Sequence, residues 1–165
     1  MTDVVSLRPA SAADIPQFVR FLLDPDAAYM AAFVSVASAE RHAAHWQEIM
    51  ANPENTVLAI VWNGQTVGSA GTFFRNGDRE LTYWIDRPFW GRGIATRAVA
   101  EVLRCEPVRP LFARVASDNA GSLRVLEKTG FVQIGHEVAH APARGREVEE
   151  RIFRLDRLAL SGLPA

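Results

Sequence analysis

The chain has 165 residues, the length of about one domain, and its 48% hydrophobic and 22% charged residues are typical of globular proteins. A net charge of −1 argues against nucleic acid or an anionic membrane as a partner. The single cysteine, Cys105, excludes a disulfide framework and a cysteine-rich zinc site. No apolar run reaches the roughly 18 residues of a membrane helix, and the first residues lack the basic region of a secretory signal, so we expect no such signal. We therefore expect a cytoplasmic protein with one domain over residues 1–165.

The first part of the chain predicts one strand and two helices. Val4–Arg8 alternates apolar and polar residues, as a half-buried strand does. Apolar residues recur at helical spacing from Ile15 to Leu22, and the next helix is predicted from about Ser38 to Met50. The stretch between them, Tyr29–Val36, is unusually apolar and is either a helical turn or a loop that faces a substrate.

The remainder of the chain changes from hairpins to crossover helices. Asn-Gly turns at residues 63–64 and 76–77 separate three predicted strands, Thr56–Trp62, Val67–Phe74 and Glu80–Ile85. After them we predict a helix over Ile94–Arg104, a strand over Leu111–Ala116, a helix over Asn119–Thr129 and two closing strands, Phe131–Val138 and Val148–Leu155. This order predicts an α+β fold with about four helices and a mixed, mostly antiparallel sheet of about seven strands.

A glycine-containing loop precedes the third helix and is the most informative segment of the sequence. It follows a strand, contains Gly91 and Gly93, and opens a helix at Ile94. A helix N-terminus offers unpaired N–H donors and the positive end of the helix dipole, which together suit a phosphate group. Arg87, Arg92 and Arg97 are candidates for additional positive charge. The alternative is a plain turn between strand and helix.

Two other phosphate-binding motifs fit this loop poorly. The P-loop string G-x-x-x-x-G-K-(S/T) is absent from the chain. The dinucleotide fingerprint G-x-G-x-x-G has Thr96 in its last position, and the loop follows two hairpins rather than opening a parallel βαβ unit. The next strand, Leu111–Ala116, also ends without the acidic residue that binds ribose.

Two segments together resemble the GNAT N-acetyltransferase superfamily. The sequence WGRGIA at Trp90–Ala95 is similar to the acetyl-CoA loop (Q/R)-x-x-G-x-(G/A), with Trp in the first position. The sequence NAGSLRVLEKTGF at Asn119–Phe131 is similar to N-x-x-S-x-x-x-L-x-K-x-G-F. Both segments, and the Tyr-Trp-Ile strand before the loop, resemble the branch of the ribosomal-protein N-terminal (alanine/serine) acetyltransferases.

The resemblance implies αβα layers and an acetyl-CoA site. It places the thioester carbonyl at the backbone N–H of Ile85, the pyrophosphate at Arg92–Arg97 and the pantetheine arm near Asn119. Ser122 becomes the candidate to donate a hydrogen bond to the sulfur. The residues implied to bind acetyl-CoA are Trp84, Ile85, Arg92, Gly93, Ile94, Ala95, Thr96, Arg97, Asn119 and Ser122.

The resemblance also bears on the catalytic acid and base. Many relatives carry a tyrosine acid seven residues after the asparagine, where this chain has Leu126, so Ser122 is the predicted acid. Glu80 is the only acidic residue inside its predicted strand, and it shares one face with Thr82 and Trp84. Glu80 is either the base that takes the proton of the amine or an exposed charge, and a neutral amine needs no dedicated base.

The string His136–His140, HEVAH, matches the zinc peptidase motif H-E-x-x-H. The motif binds zinc only on a helix, where both histidines lie on one face. This segment follows the end of a helix and has the pattern of a strand, on which residues i and i+4 lie about 13 Å apart. We therefore expect no metal.

The sequence thus predicts an acetyl-CoA-dependent N-acetyltransferase. Its expected partner is an amine acceptor, either a small molecule or a protein N-terminus, and its expected state is a monomer or homodimer. One alternative is a non-catalytic module that binds acetyl-CoA or another ligand on the same fold. A nicotinamide-dependent oxidoreductase is the other, and it would bind nicotinamide but not CoA.

Overall fold

The computed structural model describes residues 3–157, and a seven-stranded sheet forms its centre. The strands are β1 Val5–Pro9, β2 Thr56–Trp62, β3 Gln65–Arg75, β4 Asp78–Ile85, β5 Leu111–Ala116, β6 Val132–Ala141 and β7 Arg146–Leu155. Their order is β1-β2-β3-β4-β5-β7-β6, and every neighbouring pair is antiparallel except β4 and β5. The predicted mixed, mostly antiparallel sheet is therefore confirmed.

Within residues 3–157, five α-helices accompany the sheet, one more than the sequence predicted. They are α1 Ile15–Leu22, α2 Pro25–Ala31, α3 Ala39–Ala51, α4 Ile94–Cys105 and α5 Ala120–Lys128. The additional helix is α2, which contains the start of the apolar stretch 29–36. Asp24 caps it by accepting the backbone N–H groups of Asp26 and Ala27 at 3.0 and 3.2 Å, and Pro25 occupies its first turn.

The loop between β6 and β7 fixes the C-terminal end of α2. The guanidinium of Arg144 is buried, donates to the carbonyl oxygen of Tyr29 at 2.8 Å and holds the carboxylate of Asp118 with two bonds of 2.6 and 2.8 Å. The backbone N–H of Ala143 donates to the carbonyl of Ala32. These contacts hold α2 against the loop between β5 and α5.

The parallel strands β4 and β5 diverge after a short pairing. Only Arg79 with Leu111 and Glu80 with Phe112 are paired, although the two strands have eight and six residues. The core between the sheet and α4 includes Leu81 and Ile85 of β4, whereas Trp84 packs with Phe18 and Phe21 of α1. Helices therefore cover both faces, and the divergence opens the sheet beyond Glu80.

His136 and His140 lie in β6, so the strand interpretation of the HEVAH string is confirmed. Among residues 3–157, no group of three or more His, Cys, Asp or Glu side chains is arranged to hold a metal ion. No helix in the same range is long and apolar enough to cross a membrane.

Candidate active site

A cavity of about 530 Å³ lies where β4 and β5 diverge, which is within the usual size range of small-molecule sites. It is lined by α2, the end of β4, the glycine loop and α5. Nine of the predicted site residues line it: Trp84, Ile85, Arg92, Gly93, Ile94, Ala95, Thr96, Asn119 and Ser122. Arg97 and Glu80 do not line this cavity.

The glycine loop presents the N-terminus of α4 to the cavity. Gly91 and Gly93 have φ values of 74° and 72°, a left-handed conformation that side chains with a Cβ rarely adopt. Gly93 is the N-cap and offers no side chain to the helix. The first N–H groups of an α-helix have no intrahelical acceptor, so those of Ile94, Ala95 and Thr96 remain available. This end of the cavity is therefore built for an anion.

Arg97 supports the loop from outside the cavity. Its guanidinium donates to the carbonyl oxygens of Arg92 at 3.0 Å and Gly93 at 3.3 Å, and it forms an ion pair with Asp3 at 3.0 Å. The guanidinium of Arg92 lies over the ring of Trp62, 5.2 Å from its centroid. Arg97 thus positions the backbone that faces the cavity, whereas Arg92 is one of the lining residues.

The end of β4 directs a backbone donor toward the divergence. Asp86 donates to the carbonyl of Val67 on β3 at 2.8 Å, and Ile85 is paired with Gly68. Antiparallel pairs alternate between bonded and non-bonded, so the N–H and C=O of Ile85 point away from β3. The carbonyl accepts a 2.8 Å bond from the indole Nε1 of Trp90. The N–H of Ile85 therefore points into the gap between β4 and β5.

Ser122 lies in the first turn of α5 and is held by two neighbours. The side chain of Asn119 accepts its backbone N–H at 3.2 Å and donates to the carbonyl of Met30 on α2 at 3.3 Å. The hydroxyl oxygens of Ser122 and Tyr83 are 2.5 Å apart. Burial raises the pKa of Tyr83 to about 12, although the bond to Ser122 opposes the shift. Tyr83 consequently stays protonated at neutral pH.

The sequence analysis missed several residues that line the cavity. Two are cationic, Arg124 and Lys128 on α5, and they share a face with Gly121 and Val125. The spacing i, i+3, i+4, i+7 from Gly121 was a signal that could have identified this face. Others come from α2, the helix that was not predicted: Ala27, Met30 and Ala31. Tyr83 was missed too, although it is two residues before Ile85 and so shares a strand face with it.

Glu80 lies outside the lining of the cavity and belongs to a charge network. Glu80 is 6% exposed, so it is a buried residue rather than an exposed charge. Arg114 donates to one of its oxygens at 3.1 Å, and Arg75 approaches the other to 3.8 Å. Arg114 also contacts Glu137 and lies 3.7 Å from Glu150. Burial raises the pKa of Glu150, and the charge of Arg114 opposes that shift.

The family comparison agrees with this geometry. Residues 5–132 match the family model described as an acetyltransferase (GNAT) domain. The chain belongs to the GNAT acetyltransferase family. The predicted family and the acyltransferase activity that it implies are therefore confirmed. No curated protein matches the chain by sequence.

Solved structures share the GNAT fold over nearly the whole chain. A spermidine N-acetyltransferase from Vibrio cholerae, solved in complex with CoA and spermine, is 15% identical with a TM-score of 0.81, covering 92% of this chain and 95% of that one. A ribosomal-protein-alanine N-acetyltransferase from Brucella melitensis is 23% identical with a TM-score of 0.76, covering 92% and 99%. An acetyltransferase from Salmonella typhimurium that modifies the N-terminal serine of ribosomal protein L7/L12 is 18% identical with a TM-score of 0.78, covering 95% and 96%. The neighbours thus include the branch that the two motifs resemble.

Proposed function

We propose that this GNAT protein transfers the acetyl group of acetyl-CoA to a primary amine on a protein N-terminus or a small molecule. One observation carries the proposal. A single cavity joins the unpaired N–H groups at the start of α4 to the N–H of Ile85 and the hydroxyl of Ser122. Phosphate-binding groups and acyl-transfer groups are therefore connected by one continuous space.

The phosphates of acetyl-CoA bind at the start of α4. The N–H groups of Ile94, Ala95 and Thr96 face the pyrophosphate, and the helix dipole favours its negative charge. Arg124 and Lys128 supply further positive charge from α5. Asn119 borders the path of the pantetheine arm between α2 and α5.

The chemistry requires a neutral amine, because only its lone pair forms the new bond to the carbonyl carbon. The N–H of Ile85 donates to the oxygen as it gains negative charge. The C–S bond then breaks and its electron pair goes to sulfur, which receives a proton from Ser122, and the serine oxygen regains a proton from water. The amine proton goes to Glu80, through water, or to solvent, so the products are an amide and a thiol.

The proposed acceptor is a primary amine. The structural neighbours include proteins named for spermidine and for ribosomal N-termini, and all of these acceptors are amines. No metal takes part in the proposed reaction. A cytoplasmic location, a single domain over residues 1–165, and a monomer or homodimer stay predictions.

Calorimetry with acetyl-CoA and with NADH, followed by transfer assays, tests the proposal. The amine panel contains spermidine, free amino acids and peptides that begin with alanine or serine. We expect acetyl-CoA binding, no NADH binding and acetylation of at least one amine. Binding of acetyl-CoA without transfer to any amine favours the non-catalytic module. Binding of NADH alone favours the oxidoreductase.

A further inference from the structure

Tyr83 and Ser122 form a pair of hydroxyl groups in the lining of the cavity. They are 39 residues apart in sequence, and Tyr83 comes from β4 whereas Ser122 comes from α5. Besides the 2.5 Å contact between the hydroxyl oxygens, the Tyr83 hydroxyl lies 3.3 Å from the carbonyl oxygen of Ser122. Both residues line the cavity.

Each hydroxyl has one hydrogen, which allows two arrangements. In one, Ser122 donates to Tyr83, and the tyrosine donates over 3.3 Å to the carbonyl of Ser122. In the other, Tyr83 donates to Ser122 Oγ over the short distance, and the hydrogen of Ser122 is free to bond a ligand. An acceptor that gains negative charge selects the second arrangement, because hydrogen bonds to charged acceptors are stronger.

We propose that Tyr83 is a positioning residue that orients the hydroxyl of Ser122 toward the sulfur of the thioester. This inference rests on the proposed function and extends it to a residue outside both sequence motifs. Tyr83 donates to Ser122 Oγ and thereby occupies one of its lone pairs. The hydrogen of Ser122 then points into the cavity, where the leaving sulfur accepts it. Tyr83 itself neither gains nor loses a proton during the reaction.

The helix offers Ser122 a competing acceptor. A serine hydroxyl in the first turn of a helix readily bonds the backbone carbonyl three residues earlier, which here belongs to the N-cap Asn119. The bond from Tyr83 opposes that arrangement. Without the tyrosine hydroxyl, the Ser122 side chain rotates toward its own helix. Its hydroxyl hydrogen is then no longer available to the sulfur.

A double-mutant cycle tests whether Tyr83 acts through Ser122. Tyr83→Phe keeps the ring in the core and removes only the hydroxyl. We expect it to lower kcat about 10-fold, while the KM for acetyl-CoA and the Kd for CoA change less than about threefold. Ser122→Ala alone should lower kcat by about 10–100-fold. The double variant should be no slower than Ser122→Ala, because both changes remove one interaction.

Multiplied effects in the double variant would show that Tyr83 acts independently of Ser122 and would overturn the inference. A second readout does not depend on turnover. High-resolution crystal structures of the CoA complexes should place Ser122 Oγ against the sulfur in the wild type and against its own helix in Tyr83→Phe. The same serine rotamer in both structures also overturns the inference. A wild type that binds acetyl-CoA but acetylates no amine contradicts the proposed function alone, and the rotamer comparison still decides the role of Tyr83.

Discussion

The indole Nε1 of Trp90 donates a 2.8 Å hydrogen bond to the carbonyl oxygen of Ile85. This bond joins the first residue of the glycine loop to the end of β4. The carbonyl and the N–H of one strand residue point the same way, so Trp90 holds the carbonyl of the residue whose N–H faces the divergence of β4 and β5. Trp90 stands at the motif position where glutamine or arginine is usual, and it makes a contact specific to its own side chain.

Trp90→Phe removes this bond and retains an aromatic ring. We expect kcat for acetyl transfer to fall about 10-fold, because a small misplacement of an oxyanion donor weakens transition-state stabilisation. Steady-state kinetics with saturating acetyl-CoA measures the effect. Trp62→Phe is the matched control, since its indole contacts Asp3 rather than Ile85. Equal losses of kcat in both variants would show that the bond to Ile85 has no special role.

Gly93→Asp tests the anion-binding end of the cavity. Apart from Gly93 and its two chain neighbours, no residue has an atom within 4 Å of a Cβ placed at Gly93, so the new side chain enters open space beside the start of α4. We expect the Kd for acetyl-CoA to rise 10-fold or more, because the carboxylate would lie beside the phosphate and repel its negative charge. Gly93→Asn is the control, because asparagine tolerates a positive φ and carries no charge. Equal affinities for the two variants would contradict a phosphate at this position.

Glu80→Gln tests the predicted base. If Glu80 takes the amine proton, kcat should fall about 100-fold or more, and the acidic limb of the pH–rate profile should move to the higher pH at which the amine loses its proton unaided. Raising the pH should partly restore activity by delivering neutral amine. Arg75→Gln is the control, because it removes a neighbouring charge and keeps the carboxylate. Full activity with an unchanged pH profile would show that Glu80 only balances Arg75 and Arg114.

Glu150→Gln should stabilise the protein at neutral pH. The pKa of Glu150 is raised by burial, so the folded state binds its proton more tightly than the unfolded state. Stability is therefore lost as the pH rises from the unfolded pKa, near 4.5, through the higher folded value. We expect a Tm higher by roughly 2–4 °C at pH 7, equivalent to about 1 kcal/mol, and no difference at pH 3. The exposed Glu149→Gln should show neither effect, and a lower Tm for Glu150→Gln at pH 7 would contradict the prediction.

The sequence alone determined the elements whose causes are local. Helical spacing identified α1, and Asn-Gly turns identified the hairpins β2–β3 and β3–β4. The glycines of the loop and the asparagine of the second motif also act within a few residues, as a left-handed turn and a helix cap. α2 was missed because it begins soon after α1 ends, and it begins at Asp24 and Pro25, residue types that stop a helix as readily as they start one.

Tertiary structure decided which side chains meet. Tyr83 reaches Ser122 across 39 residues, and Arg97 reaches Asp3 across 94. Such contacts depend on where β4 and β5 separate and on how α5 lies over the opening, and neither is encoded in a local pattern. Glu80 is a further example. Strand alternation predicted which face of the sheet Glu80 lies on, but its partner Arg114 on β5 is visible only in the folded sheet. A short motif specifies backbone geometry, whereas the partner of a buried polar group is set by packing between distant segments.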